Sequence, residues 1–178
     1  DIEEVVSLYD RLSRYEAEPG LVIAYGSMYG HTEQLAEIIA TSAAEQGLRK
    51  IAIHNVSKSH ESEILRDVFT YSGLIIGSPT YNNKLYPAVE NLISALQSRS
   101  LKNRFFGCFG SFTWSDATAK QLLSFAESSD FELVADPVVM KQAMLQDVVE
   151  RARNMGQAMA RRLLSRAEVV TDITENCH

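Results

Sequence analysis

Cysteine and basic charge are both scarce in this 178-residue chain, and each shortage excludes something. The two cysteines, Cys108 and Cys177, stand far apart and form no CxxC pair, and a disulfide-stapled secreted scaffold is excluded. Cys108 lies in an apolar run and reads as a small core residue. Cys177 reads as an idle thiol in a polar tail. This usage suits a reducing, cytoplasmic location. Lys+Arg number 17 against 23 Asp+Glu, a net charge of −6, which repels phosphate backbones and argues against a nucleic-acid partner. No apolar run approaches the ~20 residues of a membrane helix. Asp1, Glu3 and Glu4 stand where a secretion signal wants Lys or Arg. Without such a signal, the glycosylation pattern Asn55-Val56-Ser57 reads as chance. With 46% hydrophobic and 22% charged residues, a chain of this length can bury one full core unaided. It begins with Asp1 rather than Met, and so reads as a processed chain or a piece of a longer one.

What is present is an alternation of short apolar runs and amphipathic stretches. Ile2, Val5, Tyr9 and Leu12 predict a helix over 1–16, which Glu16-Ala17-Glu18-Pro19-Gly20 ends. Strands are expected at 21–25, 50–56, 73–77, 104–110 and 131–140. Helices are expected up to about 46 after the first strand, then over 61–70, 86–98, 116–129 and 145–166. The last dozen residues look frayed. Continuous apolar strands at crossover spacing imply a parallel sheet buried on both faces. The expected fold is therefore α/β, a doubly wound three-layer sandwich with helices on both faces of a five-stranded parallel sheet. The divisions are a linker helix at 1–19, the fold proper at 20–166 and a tail at 167–178.

In such sheets the ligand site lies beyond the carboxyl ends of the strands. After the first strand, Gly26-Ser27-Met28-Tyr29-Gly30-His31-Thr32 opens a helix. Hydroxyls, glycines and a positive helix end suit a phosphate. The loop holds no Lys or Arg and matches neither a Walker A loop nor GxGxxG, so the phosphate would be part of a tightly held cofactor. After the third strand comes Ser78-Pro79-Thr80-Tyr81-Asn82-Asn83, a stiffened turn with an aromatic face. After the fourth comes Gly110-Ser111-Phe112-Thr113-Trp114-Ser115-Asp116, which holds the only Trp. Phosphate donors and two aromatics at one sheet end fit flavin mononucleotide, FMN. The cofactor-binding candidates are Ser27, Met28, Tyr29, Gly30, His31 and Thr32, then Pro79, Thr80, Tyr81, Asn82 and Asn83, then Ser111, Phe112, Thr113, Trp114 and Ser115. His31 is read as close to the phosphate or solvent-facing, and Asp116 as a helix cap. No residue is assigned a catalytic or metal-binding role.

The Ser27-Met28-Tyr29-Gly30-His31-Thr32 loop resembles the flavodoxin phosphate loop, Ser/Thr-x-x-Gly-x-Thr, within a flavodoxin-like pattern over 20–165. That resemblance implies sheet order 2-1-3-4-5. The finer resemblance is to the carboxyl-terminal flavodoxin-like domain of flavodiiron proteins. Gly77–Asn83 resembles that family's Ser-Pro-Thr-x-Asn-Asn loop, and Gly110–Ser115 its Gly-Ser-x-x-Trp-Ser loop. Asp116 departs from the Gly usual there. The amino-terminal helix resembles the segment joining this domain to the preceding one, with Asp1 as a cut inside it.

The resemblance implies an FMN-binding electron-transfer domain of a flavodiiron oxygen or nitric oxide reductase. Electrons would pass from rubredoxin or a flavin reductase to a diiron site outside this chain. It also implies a homo-oligomer at full length. His31, His54, His60 and His178 are too sparse to build the diiron site here. The net negative charge is expected to lower the flavin's potential. The alternative is a stand-alone flavodoxin-like NAD(P)H:quinone oxidoreductase, which shares the first loop but usually not the 79–83 loop. A phosphoacceptor receiver domain would need acidic residues where Gly26-Ser27 and Ser78-Pro79 stand.

Overall fold

The computed structural model describes residues 17–111, 117–141 and 144–175, with side chains to 168. Strand β1 is Glu18–Tyr25, followed by helix α1, His31–Glu45. Then come β2 (Ile51–Asn55), α2 (Glu61–Thr70), β3 (Tyr71–Tyr81) and β4 (Lys84–Leu85). Helix α3 is Pro87–Ser98, β5 is Phe105–Ser111 and α4 is Ala117–Ser128. Short strands β6 (Glu132–Leu133) and β7 (Val138–Met140) precede α5, Gln146–Glu175. The main sheet runs β2-β1-β3-β5-β6, and every pairing along it is parallel. The expected order therefore holds.

The strand count does not: five strands were expected, and seven lie among the described residues. Two changes account for this. The outer strand predicted at 131–140 splits. Leu133 pairs with Phe106 and Val138 with Phe109, so five steps of chain face three. The excess falls on Val134-Ala135-Asp136-Pro137, where Pro137 has no N–H to donate. The other addition is β4, antiparallel to the end of β3.

Strand residues alternate between two cores, as period-2 side chains must. Leu21, Ile23, Tyr25, Ile75 and Phe109 face α1 and α5. Val22, Ala24, Leu74, Ile76, Phe106 and Cys108 face α2, α3 and α4. Burial raises the Cys108 thiol to about 12, so it is an unreactive core residue. On the first face, α5 crosses α1 at Gly156, where a Cβ would stand 2.0 Å from Ser42 Oγ. On the second, the buried Arg104 guanidinium donates to Val68 O and Phe69 O, each at 3.2 Å, and caps the end of α2.

Element ends differ from the periodicity in places. Strand β1 starts at Glu18, inside the span assigned to the linker, with a register break before Leu21. Helix α5 continues to Glu175, past the expected end at 166 and through most of the stretch read as frayed. The helix predicted over 1–16 lies outside the described residues.

Candidate functional site

Because β1, β3 and β5 are parallel, the three candidate loops leave the same edge of the sheet. Tyr25 at the end of β1 pairs with Gly77, but β3 runs on to Tyr81. Its extension stays paired with β5 as far as Pro79 opposite Ser111. The stretch read as a loop at 78–83 is therefore mostly strand. It continues as a hairpin into β4, with Thr80 opposite Leu85 and Tyr81 opposite Lys84. Asn82 and Asn83 both have positive φ, 47° and 59°, as a two-residue hairpin turn of type I′ demands. Asn tolerates that region better than most side chains.

The first loop is built differently. Gly30 caps α1 at φ 84°, with nothing among the described residues within 4 Å of the place a Cβ would occupy. Its N–H donates to Ser27 Oγ at 3.0 Å. No side chain caps the helix, and the first intrahelical bond runs from Gln34 N to Gly30 O. The N–H groups of His31, Thr32 and Glu33 thus have no acceptor among the described residues. Thr32 is 1% exposed, and no hydrogen bond of its hydroxyl falls among the described residues. Open amides at a helix N-terminus, together with a buried hydroxyl, make a donor set for an anion. No Lys or Arg lies within 26–32, so amides, hydroxyls and the helix dipole would do the holding.

Contacts that the sequence reading did not foresee stitch the two regions together. Gly26 N donates to Gly77 O at 3.0 Å. Tyr86, the residue before α3, has its ring against Gly26, where a Cβ would meet ring carbon at 2.5 Å. The backbone N–H of Tyr86 donates to Ser78 Oγ at 3.0 Å, and Ser57 Oγ donates to its phenol oxygen at 3.2 Å. Thr80 and Thr118 hydroxyls bond at 3.1 Å, tying the hairpin to α4. The sequence signal for Tyr86 was its place before Pro87, at a helix start. Nothing local marked Thr118. Tyr25 donates to Glu33 Oε1 at 3.2 Å, and burial first, then Glu33, raises its pKa.

Among the candidates, the structure gathers Ser27–Thr32, Pro79–Asn83 and Ser111 at one sheet edge. Met28 (41% exposed), Tyr29 (84%) and Tyr81 (43%) present apolar surface there, and His31 is exposed. Phe112, Thr113, Trp114 and Ser115 lie outside the described residues, as does Asp116. A groove of about 380 Å³ between α1 and α5, lined by Glu37, Met144 and Arg153 among others, shares none of these residues. Among the described residues, no three His, Cys, Asp or Glu side chains cluster as metal ligands. No described helix is long and apolar enough to cross a membrane.

Comparison with known proteins agrees with this fold. The flavodoxin family pattern matches residues 23–150. A rubredoxin-oxygen oxidoreductase of Megalodesulfovibrio gigas is 31% identical over 143 residues, which are 80% of this chain and 35% of that protein. An anaerobic nitric oxide reductase flavorubredoxin of Escherichia coli is 30% identical over 159 residues, 89% of this chain and 33% of that one. This chain thus spans about a third of the length of these curated relatives. Among solved structures, rubredoxin oxygen:oxidoreductase from Desulfovibrio gigas superposes with a TM-score of 0.87 at 28% identity, covering 93% of this chain and 41% of that one. Flavodoxin 1 of Bacillus cereus shares the fold, with a TM-score of 0.70 at 22% identity over 80% of this chain and 97% of that one.

Proposed function

This chain belongs to the flavodoxin family, homologous to the flavodoxin-like part of flavodiiron proteins, and on that premise we propose that it works as an FMN-binding electron-transfer domain. Proteins of this family bind FMN. The observation that carries the reading is the open start of α1. Three backbone donors and the buried Thr32 hydroxyl have no partner among the described residues, beside a hairpin already braced.

Ser27–Thr32 would hold the phosphate, with Gly30 letting the backbone turn inward and Thr32 adding a hydroxyl. Pro79–Asn83 and Ser111–Ser115 would flank the ring, with Tyr81 and Trp114 offering flat faces. When bound, FMN supplies one- and two-electron redox chemistry, and the protein contributes binding and electrostatics. The net charge of −6 opposes added negative charge on a reduced cofactor and so lowers its potential.

Related proteins named rubredoxin-oxygen oxidoreductase and nitric oxide reductase flavorubredoxin support a place in such a reductase. Electrons would come from rubredoxin or a flavin reductase and leave for a diiron site elsewhere in the full-length protein, working as a homo-oligomer. The test is a visible spectrum of the gently purified chain, with titration of the stripped protein by FMN. The expected result is flavin absorption bands and uptake of one FMN per chain. A colourless chain that takes up no FMN overturns the reading. NADH-driven quinone reduction by the loaded chain would instead favour a quinone oxidoreductase.

A further inference from the structure

Helix α1 carries an acidic residue where an anion site can least use one. Glu33 is the third residue after the Gly30 cap. A Glu in that place ordinarily folds back to accept from the N-cap N–H, closing the helix end. Here both halves of that closure are engaged elsewhere. Gly30 N–H donates to Ser27 Oγ at 3.0 Å, and Glu33 Oε1 accepts from the Tyr25 hydroxyl at 3.2 Å. Tyr25 ends β1, is 5% exposed, and packs in the core beneath α1, so its phenol is a fixed point. The Asn55 side chain, at the end of β2, lies against the same phenol.

Released from Tyr25, the Glu33 carboxylate would be an anion tethered within one helical turn of the amides of His31, Thr32 and its own N–H. An intramolecular anion competes at high effective concentration with any phosphate arriving from solution. We propose that Tyr25 is a positioning residue for the cofactor phosphate: its hydroxyl holds Glu33 off the start of α1 and leaves those amides open. The phenol keeps its proton at neutral pH, because burial and the neighbouring carboxylate both favour the protonated form. It is therefore a standing donor to Glu33. The inference rests on reading Ser27–Thr32 as the phosphate loop.

The experiment titrates the stripped chain with FMN and with riboflavin, which has the same ring and no phosphate. The variants are Tyr25→Phe, Glu33→Gln and the double variant. Tyr25→Phe should weaken FMN roughly tenfold, the effect of about one favourable charge–dipole contact, and leave riboflavin unchanged. Adding Glu33→Gln to Tyr25→Phe should restore FMN affinity, because the competitor is then neutral. Equal weakening of both ligands, no weakening of FMN, or no restoration in the double variant overturns the proposal. Should Tyr25→Phe fail to fold, Glu33→Gln alone still decides: unchanged or tighter FMN binding supports the proposal, and a loss overturns it. A wild-type chain that binds FMN and riboflavin equally tightly would overturn the phosphate-loop reading itself.

Discussion

The phosphate-loop candidate at 27–32 and the hairpin at 78–85 stand side by side at one sheet edge, yet they are built by opposite rules. The hairpin is finished. Its strands pair, its turn residues hold the left-handed conformation, and Ser78, Thr80 and Tyr86 bond to one another's surroundings. The loop is unfinished. Its amides and the Thr32 hydroxyl lack partners among the described residues, and the one acid near them is tied back. A buried polar group without a partner costs free energy, so the open loop is stable because the rest of the domain over-determines it. The contrast separates a hydrogen-bonded hairpin from a helix start whose donors are open among the described residues.

The largest blow to this arrangement should come where the two regions meet. Gly26→Val would drive a side chain into the Tyr86 ring and the Val89 methyl, already 3.1 Å from a Cβ at that position. Overpacking of this kind costs about 1–3 kcal/mol and would shift the hairpin and loop together. Thermal unfolding should show the loss, and FMN and riboflavin binding should both fall. If only FMN suffered, the two regions would be uncoupled.

A smaller, one-sided effect is expected from Thr32→Val. It removes a hydroxyl that bonds to nothing described, so stability should hold or rise slightly. FMN affinity should fall about tenfold, the worth of one hydrogen bond to a charged group, while riboflavin binding stays put. Equal losses for both ligands would mean that Thr32 serves packing rather than the phosphate.

The mildest effect belongs to the hairpin tip. Asn83→Ala places an ordinary side chain at φ 59° and should cost about 1 kcal/mol in denaturant unfolding, with Asn83→Gly close to neutral. Little change in FMN affinity from Asn83→Gly would show that the turn shapes the ledge without itself binding the phosphate.

Much of this molecule was legible in one dimension. The runs at 21–25 and 73–77 are apolar throughout, and they lie buried on both faces as such runs must. Helix α2 has the bounds its periodicity predicted, and the 27–32 segment opens α1 as expected. The 78–83 segment was read as a loop because Pro79 and the paired asparagines are turn formers. Its strand character comes from pairing with β5 and β4, which are distant or reversed in sequence. The split of the outer strand escaped notice because apolar pattern reports burial and not register.

The amino-acid sequence alone determined the alternation of strands and helices and the parallel sheet. Those follow from local propensity and period, which each stretch carries within itself. Only the tertiary structure decided which groups stay open and which are held. Tyr25 reaches Glu33, Thr80 reaches Thr118 and Tyr86 wedges against Gly26 through separations of 8, 38 and 60 residues. Such contacts are set by sheet register and helix packing, and those exist only once the chain has folded.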